Sequence, residues 1–159
     1  PEFYTIESSG NECPLGLNCY KSFEEGRAYA LENQKLVLLD FTGWACANCR
    51  RMEENVWSKP QIYNLLENEF VIISLYVDDR SDLDYNNKFK YINDLGKTQY
   101  VNTIGQKWSV FQLLNFKSAS QPYYVAIKPT GEILSEPIQY ASEKKFENWL
   151  NSSISESLK

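Results

Sequence analysis

The feature that most restricts the fold is a strand-length apolar segment followed closely by two cysteines with two residues between them. Residues 35–41 are almost entirely apolar, which is typical of a strand covered by helices on both faces. Cys46 and Cys49 come next, and residues 50–57 are rich in helix formers. The cysteine pair is therefore predicted to lie where a buried strand gives way to a helix.

The rest of the chain alternates strand-like and helix-like segments, a pattern that predicts an α/β fold with parallel strands. Residues 70–77 form a second apolar segment, rich in β-branched side chains, that predicts another buried strand. Helical spacing and capping residues predict helices at 22–33, 61–68, 103–116 and from 142 onward, and further strands are predicted at 122–128 and 133–138. A tight turn at Gly131 is expected to join the last two strands in a hairpin.

The length of 159 residues fits one domain, since domains of roughly 100 to 200 residues are common. Residues 1–21 have no clear periodicity and are interpreted as an irregular lead-in, with the folded domain at residues 22–159. Residues 80–102 are polar and aperiodic, which favours a lid or an insertion after the second core strand. Because the chain starts with Pro1 and no signal segment precedes the domain, we expect targeting information to lie upstream.

The composition excludes several classes of function. The net charge is −5 and no stretch is rich in Lys and Arg, so no nucleic-acid partner is expected. The longest apolar runs are far shorter than the roughly 20 residues that span a bilayer. The chain has no histidine, which removes hydrolase mechanisms that use a histidine base and metal sites built on imidazole. Chemistry must therefore come from Cys, carboxylates, Tyr or Lys.

Cys46 and Cys49 have the spacing and position of a redox pair. At the first turn of a helix, unpaired backbone N–H groups and the positive end of the helix dipole stabilise a thiolate. Cys46 is then the exposed nucleophile, and Cys49, one turn further along, is the resolving thiol that releases the partner. No cofactor is required by this chemistry.

Structural zinc is the main alternative for the cysteines. It would need Cys13 and Cys19 to complete the ligand set, but five residues separate them, more than the usual two to four. A redox-inert binding module is a related alternative. We predict no metal site, and we favour a structural disulfide between Cys13 and Cys19 in an oxidising compartment over free thiols in a reducing one.

The order of elements over residues 22–152 resembles the thioredoxin superfamily. Residues 40–54, together with Val56, Trp57 and Pro60, more narrowly resemble the C-terminal periplasmic domain of the DsbD family of thiol:disulfide interchange proteins. The resemblance implies a thioredoxin-like α/β fold with a central mixed β-sheet flanked by helices and an insertion after the second core strand.

The resemblance also implies a direction of electron flow. Such a domain takes electrons from the transmembrane donor domain of its own polypeptide and passes them to periplasmic thiol/disulfide proteins, cytochrome c biogenesis being one process served. It would be a periplasmic domain of an inner-membrane protein, and the isolated domain is expected to be a monomer. An oxidase or isomerase would use the same two cysteines and differ only in reduction potential.

Site roles follow from matching positions. The resemblance implies that Cys46 and Cys49 are the redox pair, that Asp40 is the acid at the base of the site and that Glu53 is a second acid on the active-site helix. If buried beside the cysteines, these carboxylates would disfavour a thiolate, and either could take the Cys49 proton during resolution. The alternatives are an ordinary strand-end acid for Asp40 and a solvated helix-face charge for Glu53.

Three further residues are candidates for substrate binding. Pro122 matches a cis proline that faces the disulfide, which would leave the Gln121 backbone open to pair with an extended substrate; a trans proline opening the strand is the alternative. Trp44 either covers one side of the site or packs against the domain. Ala45 stands directly before Cys46, where thioredoxin-like sites usually have Trp.

Overall fold

A mixed four-stranded sheet forms the centre of the computed structural model, which describes residues 13–159. In their spatial order across the sheet, its strands are β1 (Cys19–Tyr20), β3 (Phe70–Tyr76), β2 (Leu36–Thr42) and β6 (Tyr123–Ile127). β3 is parallel to both β1 and β2, whereas β6 is antiparallel to β2. The predicted central mixed sheet flanked by helices is confirmed.

The helices cover both faces of this sheet. They are α1 (Phe23–Glu32), α2 (Ala47–Met52), α3 (Pro60–Glu69), α4 (Ile104–Phe116) and α5 (Glu143–Ser157), and a π-helical turn (Glu53–Trp57) continues α2. Side chains from α3 and α5 share one apolar cluster with alternate residues of the strands, and side chains from α1 and α4 share another. This two-sided burial explains why β2 and β3 are mostly apolar, with Asp40, Thr42 and Ser74 as their polar residues.

The helix caps expected at Ser22 and Ser142 are present, and Thr103 caps α4 in the same way. The side chains of Ser22, Thr103 and Ser142 each accept a hydrogen bond from the backbone N–H three residues ahead, at the starts of α1, α4 and α5. None of the described helices is long and apolar enough to cross a membrane.

Two segments without predicted structure contain strands. Residues 89–101 form the antiparallel hairpin β4 (Phe89–Ile92) and β5 (Thr98–Val101), which lies within the segment read as an insertion. In the predicted lead-in, Pro14–Gly16 forms a 3-10 turn, and β1 pairs with Ile72 and Ile73. The lead-in residues 1–12 lie outside the described part of the chain.

The strand predicted at 133–138 is wrong. Only isolated bridges form there, Ile127 with Ile133 and Tyr124 with Ile138. Pro137 has no N–H to donate to a ladder, and the Ser135 hydroxyl hydrogen-bonds the Ser153 hydroxyl of α5. The turn at Gly131 is present, with φ of 106°.

Candidate active site

Cys46 and Cys49 form a disulfide at the start of α2, with their Cα atoms 5.2 Å apart. Cys46 is the N-cap residue of this helix, and its Sγ accepts a hydrogen bond from the Cys49 N–H at 3.2 Å. Cys46 is partly exposed, whereas Cys49 is only 1% exposed. An external disulfide can therefore reach Cys46 while Cys49 remains covered.

The loop before Cys46 is held by Asp78, a residue that the sequence analysis did not single out. The Asp78 carboxylate accepts hydrogen bonds from the backbone N–H groups of Trp44, at 2.9 Å, and Ala45, at 3.1 Å. Asp78 follows β3, and Thr42 ends β2 opposite Tyr76, so the loops after both strands begin at one edge of the sheet. The sequence did contain a signal for this contact: Asp78 and the cysteine loop each directly follow a predicted parallel strand, and such strands end at the same edge of a sheet.

Trp44 lies beside the disulfide in a short stack. Its ring lies on Tyr76, with 3.9 Å between ring centroids and an interplanar angle of 17°, and the Lys21 ammonium lies 4.7 Å from the Trp44 centroid. The Trp44 side chain is nevertheless 50% exposed. It packs on the domain and still presents a surface next to Cys46.

Asp40 lies inside the protein and is 2% exposed. Burial, together with the charge of Glu53, raises the pKa of its carboxyl to about 8, although Arg50 and a hydrogen bond from Ser74 oppose the shift. The Ser74 hydroxyl donates to Asp40 Oδ2 at 3.5 Å. Asp40 is thus a carboxyl group that keeps its proton near neutral pH.

Glu53 is also buried, with 8% exposure, and is not a solvated helix-face charge. Its pKa is raised to about 7, mainly by burial, which Arg50 opposes and to which the charge of Glu54 adds. The Arg50 guanidinium lies 3.0 Å from Glu53 Oε2 and donates to Thr42 Oγ1 at 2.9 Å. Sequence reasoning missed Arg50, although its spacing of three residues from Glu53 on a helix favours such a pair.

The Gln121–Pro122 peptide bond is cis, as expected. Tyr123 pairs with Phe41, which places Pro122 at the sheet edge where β2 ends and the cysteine loop begins. The Gln121 side chain donates to Gln112 Oε1 at 3.0 Å and to the Ala119 carbonyl at 3.2 Å. Within residues 13–159 the Gln121 backbone makes no hydrogen bond, so it is open to another chain.

Gln112 supports this loop and was missed by the sequence analysis. It is fully buried in α4, and its Nε2 donates to the Ser120 carbonyl at 2.8 Å. A buried glutamine needs partners for its amide group, and here the loop before Pro122 supplies them. Its signal in the sequence was a polar residue at a core-facing helical position.

Cys13 and Cys19 form a second disulfide, with Cα atoms 5.6 Å apart. Cys19 pairs with Ile72 in the sheet, several residues before the edge that carries Cys46. Among residues 13–159, no three or more His, Cys, Asp or Glu side chains are grouped so that they could hold a metal ion. The zinc interpretation therefore has no ligand set in the described part of the chain.

The structure brings most of the candidate residues together, some at the exposed edge of the sheet and others buried beneath it. The sheet edge carries Cys46, Trp44 and the loop of Gln121 and Pro122, and Arg50 links Glu53 to β2, the strand that contains Asp40. Cys13 and Cys19 do not join this group. The accessible sulfur and the covered sulfur suit dithiol–disulfide exchange, and two protonatable carboxyls are buried in the same part of the protein.

Known proteins share this fold. The thioredoxin-like family model matches residues 18–100. The chain is similar to a thioredoxin from Thermus thermophilus (21% identity, TM-score 0.61, 87% of each chain covered) and to a DsbH oxidoreductase (14%, 0.60, 87% of this chain and 85% of that one). It is also similar to the reduced C-terminal domain of Neisseria meningitidis DsbD (17%, 0.53, 82% and 92%). No curated protein matches the sequence.

Proposed function

Because this chain belongs to the thioredoxin-like family, we propose that it is a thiol:disulfide oxidoreductase that acts as a reductant through Cys46 and Cys49. The observation that carries the proposal is the pair itself: Cys46 caps α2 and is accessible, while Cys49 is linked to it and buried behind it. A nucleophile exposed at a helix start with a covered resolving thiol is the arrangement that exchange chemistry needs.

The reaction begins with the reduced pair. The Cys46 thiolate attacks one sulfur of a partner disulfide, which forms a Cys46–partner bond and releases the other partner sulfur as a thiolate. Cys49 then loses its proton and attacks Cys46, which releases the second partner sulfur and leaves the Cys46–Cys49 disulfide. The partner gains two electrons and two protons in total, and the two cysteines are oxidised.

Asp40 and Glu53 are proposed as the acid–base groups of the resolution step. Cys49 is buried, so its proton needs a nearby acceptor rather than bulk water. Both carboxyls have pKa values raised into the neutral range, about 8 for Asp40 and about 7 for Glu53, so both exchange protons near neutral pH. The charge that remains on either carboxylate disfavours a thiolate and makes the reduced pair a better electron donor.

The partner is proposed to bind across Trp44 and the cis-proline loop. The free Gln121 backbone can pair with an extended segment of the partner, in the manner of an added β-strand. The exposed part of Trp44, stacked on Tyr76 where β3 ends, lies at the same edge of the sheet. Together they would hold the partner disulfide over the accessible sulfur.

Two features support the direction of electron flow and the cellular setting. Residues 40–60 resemble the DsbD family, in which this domain receives electrons from a transmembrane domain of the same polypeptide, and the DsbD C-terminal domain is among the structures that share the fold. We therefore propose a periplasmic domain of an inner-membrane protein that reduces periplasmic thiol/disulfide proteins and is itself a monomer.

Single cysteine variants test the redox assignment. With dithiothreitol as electron source and insulin as substrate, Cys46→Ser should abolish turnover because it removes the nucleophile. Cys49→Ser should accumulate a mixed disulfide with the substrate, visible by mass, because nothing resolves it.

The double variant Cys13→Ala/Cys19→Ala is the matched control, and it should keep the wild-type rate of turnover because this disulfide lies away from the active-site edge. Turnover by Cys46→Ser at the wild-type rate would overturn the proposed function.

A further inference from the structure

An exposed apolar surface lies between the β4–β5 hairpin and α4. Its members, here called the hairpin surface, are Ile92, Leu95, Tyr100, Leu113 and Leu114, which are 73%, 81%, 64%, 44% and 62% exposed. Two adjoining grooves of about 430 and 270 Å³ run through it, and Tyr91 and Leu113 line both. Exposed apolar side chains that adjoin one another are typical of a site that another molecule covers.

The charge around the hairpin surface is opposite to that of the whole chain. Residues 88–117 contain five lysines and a single acidic residue, Asp94, although the net charge of the protein is −5. Salt bridges in the described chain involve none of these lysines. Lys117 lines the larger groove, beside Leu114 and Leu95. Asp94 lines the same groove, and Lys107 lies over the Trp108 ring, so the excess positive charge near the surface comes from the other lysines of the segment.

The smaller groove leads to the active-site edge. Val77 and Ala119 line it together with Tyr100. Val77 directly precedes Asp78, which holds the loop before Cys46, and the Ala119 carbonyl accepts a hydrogen bond from Gln121 beside Pro122. A chain lying in this groove would continue onto the open Gln121 backbone.

We propose that the hairpin surface docks an acidic segment of the partner protein whose disulfide Cys46 reduces. Apolar side chains of that segment fill the grooves, and its carboxylates face Lys90, Lys97 and Lys117, which form no salt bridge within residues 13–159. Such charge complementarity speeds encounter and selects among partners more than it adds to affinity. The inference rests on the proposed function and assigns the insertion a role in partner choice. A polypeptide is favoured over a lipid surface because the groove leads to the redox site.

Two synthetic peptides of equal length serve as probes, each carrying one cysteine as a mixed disulfide with glutathione. One contains Leu and Glu, and the other contains Leu and Lys at the same positions. Reduced protein should cleave the acidic peptide about 10-fold faster than the basic one at low salt, and the preference should disappear at high salt.

The variant Lys90→Glu/Lys97→Glu/Lys117→Glu should reverse this preference. The matched control Lys59→Glu/Lys144→Glu/Lys145→Glu changes the net charge equally at exposed lysines elsewhere and should keep it. Ile92→Ser/Leu114→Ser should lower the rate for the acidic peptide and not that for glutathione disulfide. All these side chains are exposed, so the variants should fold.

The outcomes separate docking from chemistry. Glutathione disulfide reduction at the wild-type rate by every variant supports the proposed function independently of docking. Equal rates for the two peptides at low salt would overturn the docking proposal and leave the proposed function standing.

Binding of a cysteine-free acidic peptide to the oxidised protein, followed by fluorescence anisotropy, tests docking without any reaction. Lysine-dependent sedimentation with phosphatidylglycerol vesicles, without any peptide preference, would overturn the proposal in favour of a lipid surface.

Discussion

Asp40 and Glu53 are buried acids that share one counter-ion, Arg50. The guanidinium contacts Glu53 directly and also donates to Thr42, two residues after Asp40 in β2. Burial is the largest cause of the raised pKa of each carboxyl, and one positive charge offsets it only in part. Near neutral pH the two carboxyls are therefore partly protonated, and the ionised fraction is the proposed acceptor of the Cys49 proton.

Asp40→Asn tests this account through stability. The pKa of Asp40 is 3.8 ordinarily and about 8 in the folded protein, so its contribution to stability is complete below about pH 4 and is lost as the pH rises through about 8. Asn carries no charge at any pH. The variant should gain about 1 to 3 kcal/mol over the wild type at pH 8 and much less at pH 5, measured by urea unfolding of the oxidised proteins.

Asp84→Asn is the control, because Asp84 is exposed and its side chain caps nothing. This variant should follow the wild-type pH dependence. A difference between Asp40→Asn and wild type that stays constant from pH 5 to pH 8 would show that Asp40 does not carry a raised pKa.

Only some residues of the candidate active site could be predicted from the sequence. Cys46 and Cys49 followed from their spacing and from the strand before them, and Asp40, Glu53 and Pro122 followed from a resemblance. Asp78 is 34 residues along the chain from Trp44, whose N–H it accepts, whereas Gln112 is eight residues from Ser120. The sequence pattern marks both positions, but which loop each one holds depends on how the chain folds.

Among the elements, predictability followed length and burial. β2 and β3 are seven-residue strands buried on both faces, so each was visible as an apolar run. β1 has two residues and β4 and β5 have four each, too short for a period to show. The segment 133–138 has apolar residues, but Pro137 prevents a ladder.

Gly105 connects α4 to the turn after β3. A Cβ at this position would lie 2.6 Å from the carbonyl oxygens of Val77 and Asp79, and both are backbone atoms that cannot rotate away. The Gly105 N–H donates to the Asp79 carbonyl at 2.9 Å. This close approach fixes α4 beside the segment that carries Asp78.

Gly105→Ala should destabilise the protein by about 1 to 3 kcal/mol, because the backbone must shift to admit the methyl group. Helix propensity alone gives the opposite sign, since Ala is favoured over Gly by roughly 1 kcal/mol. Ser109→Ala, at an exposed position of the same helix, is the control and should change stability by less than about 0.5 kcal/mol. A Gly105→Ala variant as stable as the wild type in urea would contradict the packing account.

At the scale of the whole molecule, the redox site and the proposed docking surface lie next to each other. The disulfide, Trp44 and the cis-proline loop lie at the edge where β2 and β3 end, and the hairpin surface adjoins it through Val77 and Ala119. The excess of lysine at residues 88–117 is readable from the sequence. Its position next to the redox site depends on how the insertion folds back on α4.

The reduction potential of the Cys46–Cys49 pair tests the central claim most directly. The protein is equilibrated with thiol buffers of known potential, and alkylated cysteines are counted by mass, with Cys13→Ala/Cys19→Ala isolating the active-site pair. Buried carboxyls that disfavour the thiolate predict a potential at or below that of thioredoxin, about −270 mV. A value of about −120 to −180 mV would mean an oxidant or isomerase and would contradict the assignment as a reductant.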